Sequence, residues 1–155
     1  MRKSKKKYKR PRILWNTARI EKDKELKMKF GLVRKKEIWS AETLLRKYRR
    51  LARKLVGVKN EENEKVVLTK LIGMGMLEKG AVLDDVLGMN VEDILNRRLQ
   101  TVLVKKGLAN TPKQARQLVV HGHVRIAERT SKSPGRLILR DEEDKLQISE
   151  KLKSV

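Results

Sequence analysis

Two histidines, His121 and His123, and three acidic clusters, Asp84-Asp85, Glu92-Asp93 and Asp141–Asp144, are the side chains whose types could hold a metal or move a proton. The chain has no cysteine, which removes disulfides, thiolate zinc sites and a cysteine nucleophile. No carboxylate or thiolate stands beside the imidazole pair in sequence to complete a ligand set, so a metal is not expected there. The first two acidic clusters open loops and short helices, where capping and the helix dipole favour acids without any Mg²⁺ or nuclease chemistry. A cationic spacing is more informative. Lys113, Arg116, Gln117 and His121 fall on one side of a helix at 3.6 residues per turn, with Val120 as the apolar residue among them, while Ala115, Leu118 and Val119 fall on the other. Two cations, an amide and an imidazole held at fixed spacing suit docking on folded RNA. His123 either bonds at the following turn or joins the same edge.

The elements that must position this set can be read beside it. Thr111 caps the helix, Pro112 occupies its first position, and Gln114 completes a capping-box pattern. Gly122 stops it with a positive φ, and Val124 and Ile126 alternate as a strand does.

Charge sets the wider context. Among 155 residues, 40 Lys+Arg stand against 19 Asp+Glu, a formal net charge of +21. Such self-repulsion implies a polyanionic partner, nucleic acid ahead of an anionic membrane surface. The excess is divided: residues 1–60 carry +18, 61–96 carry −5, 97–140 carry +10 and 141–155 carry −2. No apolar run is long enough to span a bilayer, and no signal-peptide core is evident near Met1, so a soluble, intracellular protein is expected. Aromatics make up 3% of the chain, too few for a platform stacking several bases.

Residues 1–15 read as a basic arm, disordered until it meets phosphates. Asn16 caps a helix over Thr17–Phe30 that Gly31 stops. Ser40 is a cap or a kink for the next helix, whose apolar stripe of Leu44, Leu45, Tyr48, Leu51, Ala52, Leu55 and Val56 faces away from Arg46, Lys47, Arg49, Arg50, Arg53 and Lys54. Acids are nearly absent there, so the ion pairs that steady a solvated helix are missing and phosphate contacts are the better reading. Asn60–Leu77 reads as a helix, Val82–Leu87 as a short apolar turn, and Asn90 to Lys106 as one further helix. Ile126, Leu137–Leu139 and Leu146–Ile148 mark three short strands, with Ser131–Gly135 a loop between the first two.

The residues Arg98-Leu99, Gly107-Leu108-Ala109, Lys113–Leu118 and His121–Val124 resemble the RNA-binding module named after small-subunit ribosomal protein four. Glu37-Ile38-Trp39, Lys70–Gly73, Leu83–Leu87 and Val91–Leu95 extend the resemblance to that ribosomal family over about residues 8–148, in its archaeal and eukaryotic branch. The family implies an α+β chain: a mostly helical part over 16–96, then a module of two helices packed on a short-stranded sheet over 97–148, and a tail at 149–155. It implies no enzymatic activity and no cofactor. It also implies a primary binder of the 5′ domain of small-subunit ribosomal RNA that nucleates assembly, beside ribosomal proteins five and three at the messenger-RNA entrance, with influence on decoding accuracy. The implied place is cytoplasmic, in the ribosome.

The RNA-contacting residues expected from charge and resemblance together are Lys5, Lys6, Lys7, Arg10 and Arg12 on the arm and Arg46, Lys47, Arg49, Arg50 and Arg53 on the basic helix. In the module they are Arg97, Arg98, Thr111, Lys113, Gln114, Arg116, Gln117, His121, Gly122, His123 and Arg125. The chain departs from many relatives at Gln100, where they carry aspartate, and at Ala127-Glu128-Arg129, where they carry a glycine. It also lacks the cysteine zinc site that some possess. A biogenesis factor of the same architecture, acting on precursor RNA, is the alternative. An RNA-modifying enzyme is disfavoured, because residues 1–96 offer no nucleophile or acid–base set in an apolar pocket.

Overall fold

The computed structural model describes residues 6–58 and 60–149; Lys5 and the last six residues of the expected tail lie outside them. Helix α1 runs Thr17–Lys29. The Asn16 side-chain oxygen accepts the Arg19 backbone N–H at 3.2 Å, and Phe30 closes the helix onto Leu26 before Gly31 turns the chain.

Helix α2 spans Lys35–Val58 and begins five residues before Ser40, which is neither its cap nor a kink. The apolar stripe already starts at Ile38 and Ala41, both buried, and continues through Leu45, Tyr48, Ala52 and Leu55 at alternating spacings of three and four. Glu37 accepts the Arg34 backbone N–H at 3.4 Å, so the acid near the start supplies the terminal bond. Val56, expected on the stripe, is exposed.

Helix α3, Glu61–Gly73, is capped by Asn60 and ends before the expected Leu77, where the Met76 N–H bonds back to the Leu71 carbonyl. Two short helices follow, α4 (Leu83–Gly88) and α5 (Val91–Asn96). Asp85 accepts the Val82 N–H at 2.8 Å and Asp93 the Asn90 N–H at 2.7 Å, so these acids are terminal acceptors. Helix α2 packs against α1, α3, α4 and α5 around the first apolar cluster, which includes Phe30, Ile38, Tyr48, Leu71, Val86 and Leu95.

The single helix expected from Asn90 to Lys106 is broken. Helix α6 starts afresh at Leu99 and runs to Lys105, because Arg98 is extended (ψ 143°) and forms an antiparallel bridge with Leu137. The Leu99 N–H reaches the Arg136 carbonyl at 2.8 Å and the Ile138 N–H reaches the Arg97 carbonyl at 3.0 Å. Residues 137–139 therefore pair at one point rather than forming a strand in the sheet, and the chain passes into the short helix α8, Arg140–Glu143.

Helix α7 occupies Pro112–Val120, followed by β1 (Val124–Ile126), β2 (Arg129–Thr130) and β3 (Leu146–Ile148). The sheet is antiparallel in the order β2-β1-β3, with Arg125 opposite both Thr130 and Gln147. Strand β2, which the sequence did not mark, precedes the expected Ser131–Gly135 loop, and the two-residue turn Ala127-Glu128 joins it to β1. Helices α6 and α7 pack together over the second cluster, with Leu99, Leu103, Ala115, Val119, Val124 and Ile138 at its centre. The architecture is α+β.

Candidate nucleic-acid interface

Helix α7 has the caps its sequence demands. Thr111 Oγ1 accepts the Gln114 N–H at 3.2 Å, while Gln114 Oε1 accepts the Asn110 N–H at 2.9 Å. Ala115 and Val119 are buried, and Lys113, Gln117 and His121 are exposed. Gly122 ends the helix at φ 80°, with the His123 N–H bonded to the Leu118 carbonyl at 3.0 Å. The two imidazoles lie nearly parallel, centroids 6.2 Å apart, with His123 half-buried at the turn, where its carbonyl accepts the Ser149 N–H. No group of three or more His, Cys, Asp or Glu suited to a metal ion occurs among the described residues. Arg125 points to the exposed side of β1.

Four arginines expected on RNA are instead engaged by protein groups. Arg116 does not project with Lys113: its Nη1 lies 3.0 Å from Glu37 Oε2 and 3.3 Å from Gln100 Oε1. Arg98 is buried, its Nη2 2.5 Å from the same Glu37 oxygen. Arg97 donates to Glu143 at 2.9 Å and to the Ile138 carbonyl at 3.0 Å, and Arg49 donates to the Met89 carbonyl. Each is long enough to fold back onto an acceptor that the rest of the fold brings close, and a half-buried guanidinium is better satisfied by such an acceptor than left unpaired.

Glu37 is the hub of a junction between the two clusters. Burial pushes its carboxyl up, but hydrogen bonds from Arg116 and Arg98, with their positive charges, outweigh this and hold it below the ordinary value. Fully buried Gln100 completes the junction, donating from Nε2 to the Phe30 carbonyl at 2.6 Å while accepting from Arg116. An aspartate at that position could not make the donation to Phe30 while ionised. Gly31, at φ 58°, lets the backbone pass so close to α7 that a Cβ there would stand 2.8 Å from Pro112 Cβ. Arg140 adds a bond across the junction to the Leu77 carbonyl at 2.9 Å.

On α2, Arg46, Lys47, Arg50, Arg53 and Lys54 are exposed along the face opposite the core. The arm is tethered where it meets this helix: the Lys9 N–H donates to Thr43 Oγ1 at 3.1 Å, and the Tyr8 ring lies 5.9 Å from Trp39. Lys6, Lys7, Arg10 and Arg12 are exposed around that tether. Two cations escaped the sequence reading. Lys132 runs past the helix-ending turn, its Cε 3.4 Å from where a Cβ on Gly122 would stand, and Arg129 is exposed on β2. A hairpin of two residues after Ile126 would have signalled both, but no glycine marks it.

Residues 97–144 match the family described as the S4 domain. Over nearly its whole length the chain is similar to small ribosomal subunit protein uS4 of three organisms. Identity is 48% with that of Methanothermobacter thermautotrophicus, covering 94% of this chain and 86% of the relative. It is 47% with that of Sulfurisphaera tokodaii and 45% with that of Hyperthermus butylicus, each covering 92% of this chain and 83% of the relative.

The chain belongs to the uS4 family.

In this uS4-family chain the S4 match takes in α6, α7, the sheet's first two strands and α8, but neither Glu37 nor Phe30. The junction therefore ties the matched segment to helices that precede it. The three relatives are named as proteins of the small ribosomal subunit.

Proposed function

We propose that this chain is a structural protein of the small ribosomal subunit that binds its RNA through two basic faces held in one orientation. The observation that carries the reading is the near-full-length likeness to uS4 proteins, joined to the exposed cations of α2 and of the α7–β1 edge. In this reading the 5′ domain of small-subunit ribosomal RNA is the primary target, and binding nucleates assembly in the cytoplasm. Ribosomal proteins five and three are neighbours at the messenger-RNA entrance, where the chain influences decoding accuracy. The 16–96 and 97–148 parts each contribute a face: Arg46, Lys47, Arg50 and Arg53 from the first, and Lys113, Gln117, His121, Arg125, Arg129 and Lys132 from the second.

Exposed cations at this density bind by displacing counterions from phosphates, so affinity falls with salt, by on the order of a thousandfold between 50 and 200 mM for six or more contacts. Chemical footprinting on naked small-subunit RNA tests the reading. Protection confined to the 5′ domain and lost steeply with salt is the expected result; protection scattered over unrelated helices overturns it. Sedimentation of the tagged chain in cells separates mature subunits from precursor particles, and exclusive association with precursors would assign it to biogenesis instead.

A further inference from the structure

The segment between the arm's tether and α1 presents Ile13, Leu14 and Trp15 to solvent, at 68%, 55% and 87% exposure. The other large apolar side chains exposed among the described residues stand singly along the sequence. Three in succession, one of them an indole, mark a contact surface. The segment is not a loose end. Lys9 and Tyr8 hold it to α2 on one side, and Asn16 caps α1 on the other.

Charge identifies what covers it. Lys6, Lys7, Lys9, Arg10 and Arg12 are exposed beside it, and no acid occurs before Glu21. Such a segment repels a basic protein neighbour and draws a polyanion. An indole offers a face on which any base stacks, and flanking guanidiniums hold the adjoining phosphates. Aromatics at 3% exclude a platform for several bases, but one exposed tryptophan suffices for one.

We propose that Trp15 stacks on an unpaired base of the bound RNA, with Arg10 and Arg12 on the neighbouring phosphates. This rests on the RNA-binding reading above and adds to it a single-nucleotide contact outside the S4 match.

The test uses the full-length chain carrying Trp39→Phe, so that Trp15 is the sole indole, titrated with 5′-domain RNA, a uridine dodecanucleotide and inorganic polyphosphate. Fluorescence quenching by both RNAs and none by polyphosphate is expected. Trp15→Ala should weaken 5′-domain binding roughly five- to a hundredfold with an unchanged salt slope, and Trp15→Phe should restore most of it. Equal quenching by polyphosphate, or none by RNA, overturns the inference. So does Trp15→Ala binding as tightly as the parent, in which case the surface serves a protein neighbour. If Trp39→Phe lowers the melting temperature, 5-fluorotryptophan in the native chain gives the same readout, the Trp15 line being the one missing from Trp15→Ala. Failure of the parent chain itself to bind the RNA would instead remove the underlying reading.

Discussion

Ala127 is the one non-glycine residue among the described residues with a positive φ, at 53°. It sits first in the two-residue turn between β1 and β2. The Ala127 N–H still bonds to the Lys145 carbonyl at 2.9 Å, so the sheet holds the strained backbone in place. A left-handed conformation costs an L-residue about 1–2 kcal/mol, and a glycine gives back part of this as chain entropy in the unfolded state. Ala127→Gly should therefore raise stability by up to about 1 kcal/mol, read as a higher melting temperature with unchanged RNA affinity. A lower melting temperature would show that the turn is not strained by its side chain. Arg116 gives the opposite lesson at this scale. Its helical position implied an outward fork for phosphate, yet its nearest acceptors, Glu37 and Gln100, come from distant parts of the chain that no periodicity reveals.

Helices follow their local signals closely where those signals are complete. The Asn16 and Thr111 caps, the Pro112 start and the Gly122 stop were all legible, because each acts within one turn of itself. The start of α2 was not, since Ser40 is a plausible cap until Ile38 and Ala41 are known to be buried. Nor was the break between α5 and α6, which depends on Leu137 arriving to pair with Arg98. Of the candidate contacts, the exposed cations of the arm, α2 and α7 were legible as charge, whereas which arginines fold back was decided by tertiary neighbours. Helix α2 allows stability and binding to be separated. Leu45 is 5% exposed in the first cluster, so Leu45→Ala should cost about 2–5 kcal/mol, and the partly buried Leu51 less. Arg50→Ala and Arg53→Ala should leave the melting temperature nearly unchanged and weaken RNA binding severalfold, because both project from the exposed face. Thermal melts beside RNA titrations check both, and a large loss of stability from the arginine changes would make that face structural.

For the molecule as a whole the decisive question is whether the two basic faces act as one rigid surface, and Glu37 can answer it. Two arginines from one side of the junction converge on this carboxylate from the other, and Arg98 is almost entirely enclosed. Glu37→Gln keeps the shape and an acceptor but leaves those guanidiniums without a countercharge, at a cost of roughly 1–3 kcal/mol. Long-range electrostatics would have the same change tighten RNA binding, since net charge rises by one. A pre-oriented surface behaves differently: if the junction loosens, ordering the two faces is charged against binding, and affinity drops severalfold. We expect the drop, measured well below the melting temperature of the variant. Tighter binding would mean that Glu37 only masks Arg116, and that the faces bind independently. The pH dependence gives a second reading of the same contact. The folded carboxyl is held below its ordinary value of 4.5, so its contribution is complete above that value and is lost as pH falls through the lower folded one. Wild type should therefore lose stability relative to Glu37→Gln on acidification below about pH 4.5, the two melting curves converging as Glu37 takes up its proton. Parallel curves across that range would show that the carboxylate's charge contributes nothing to holding the molecule in one piece.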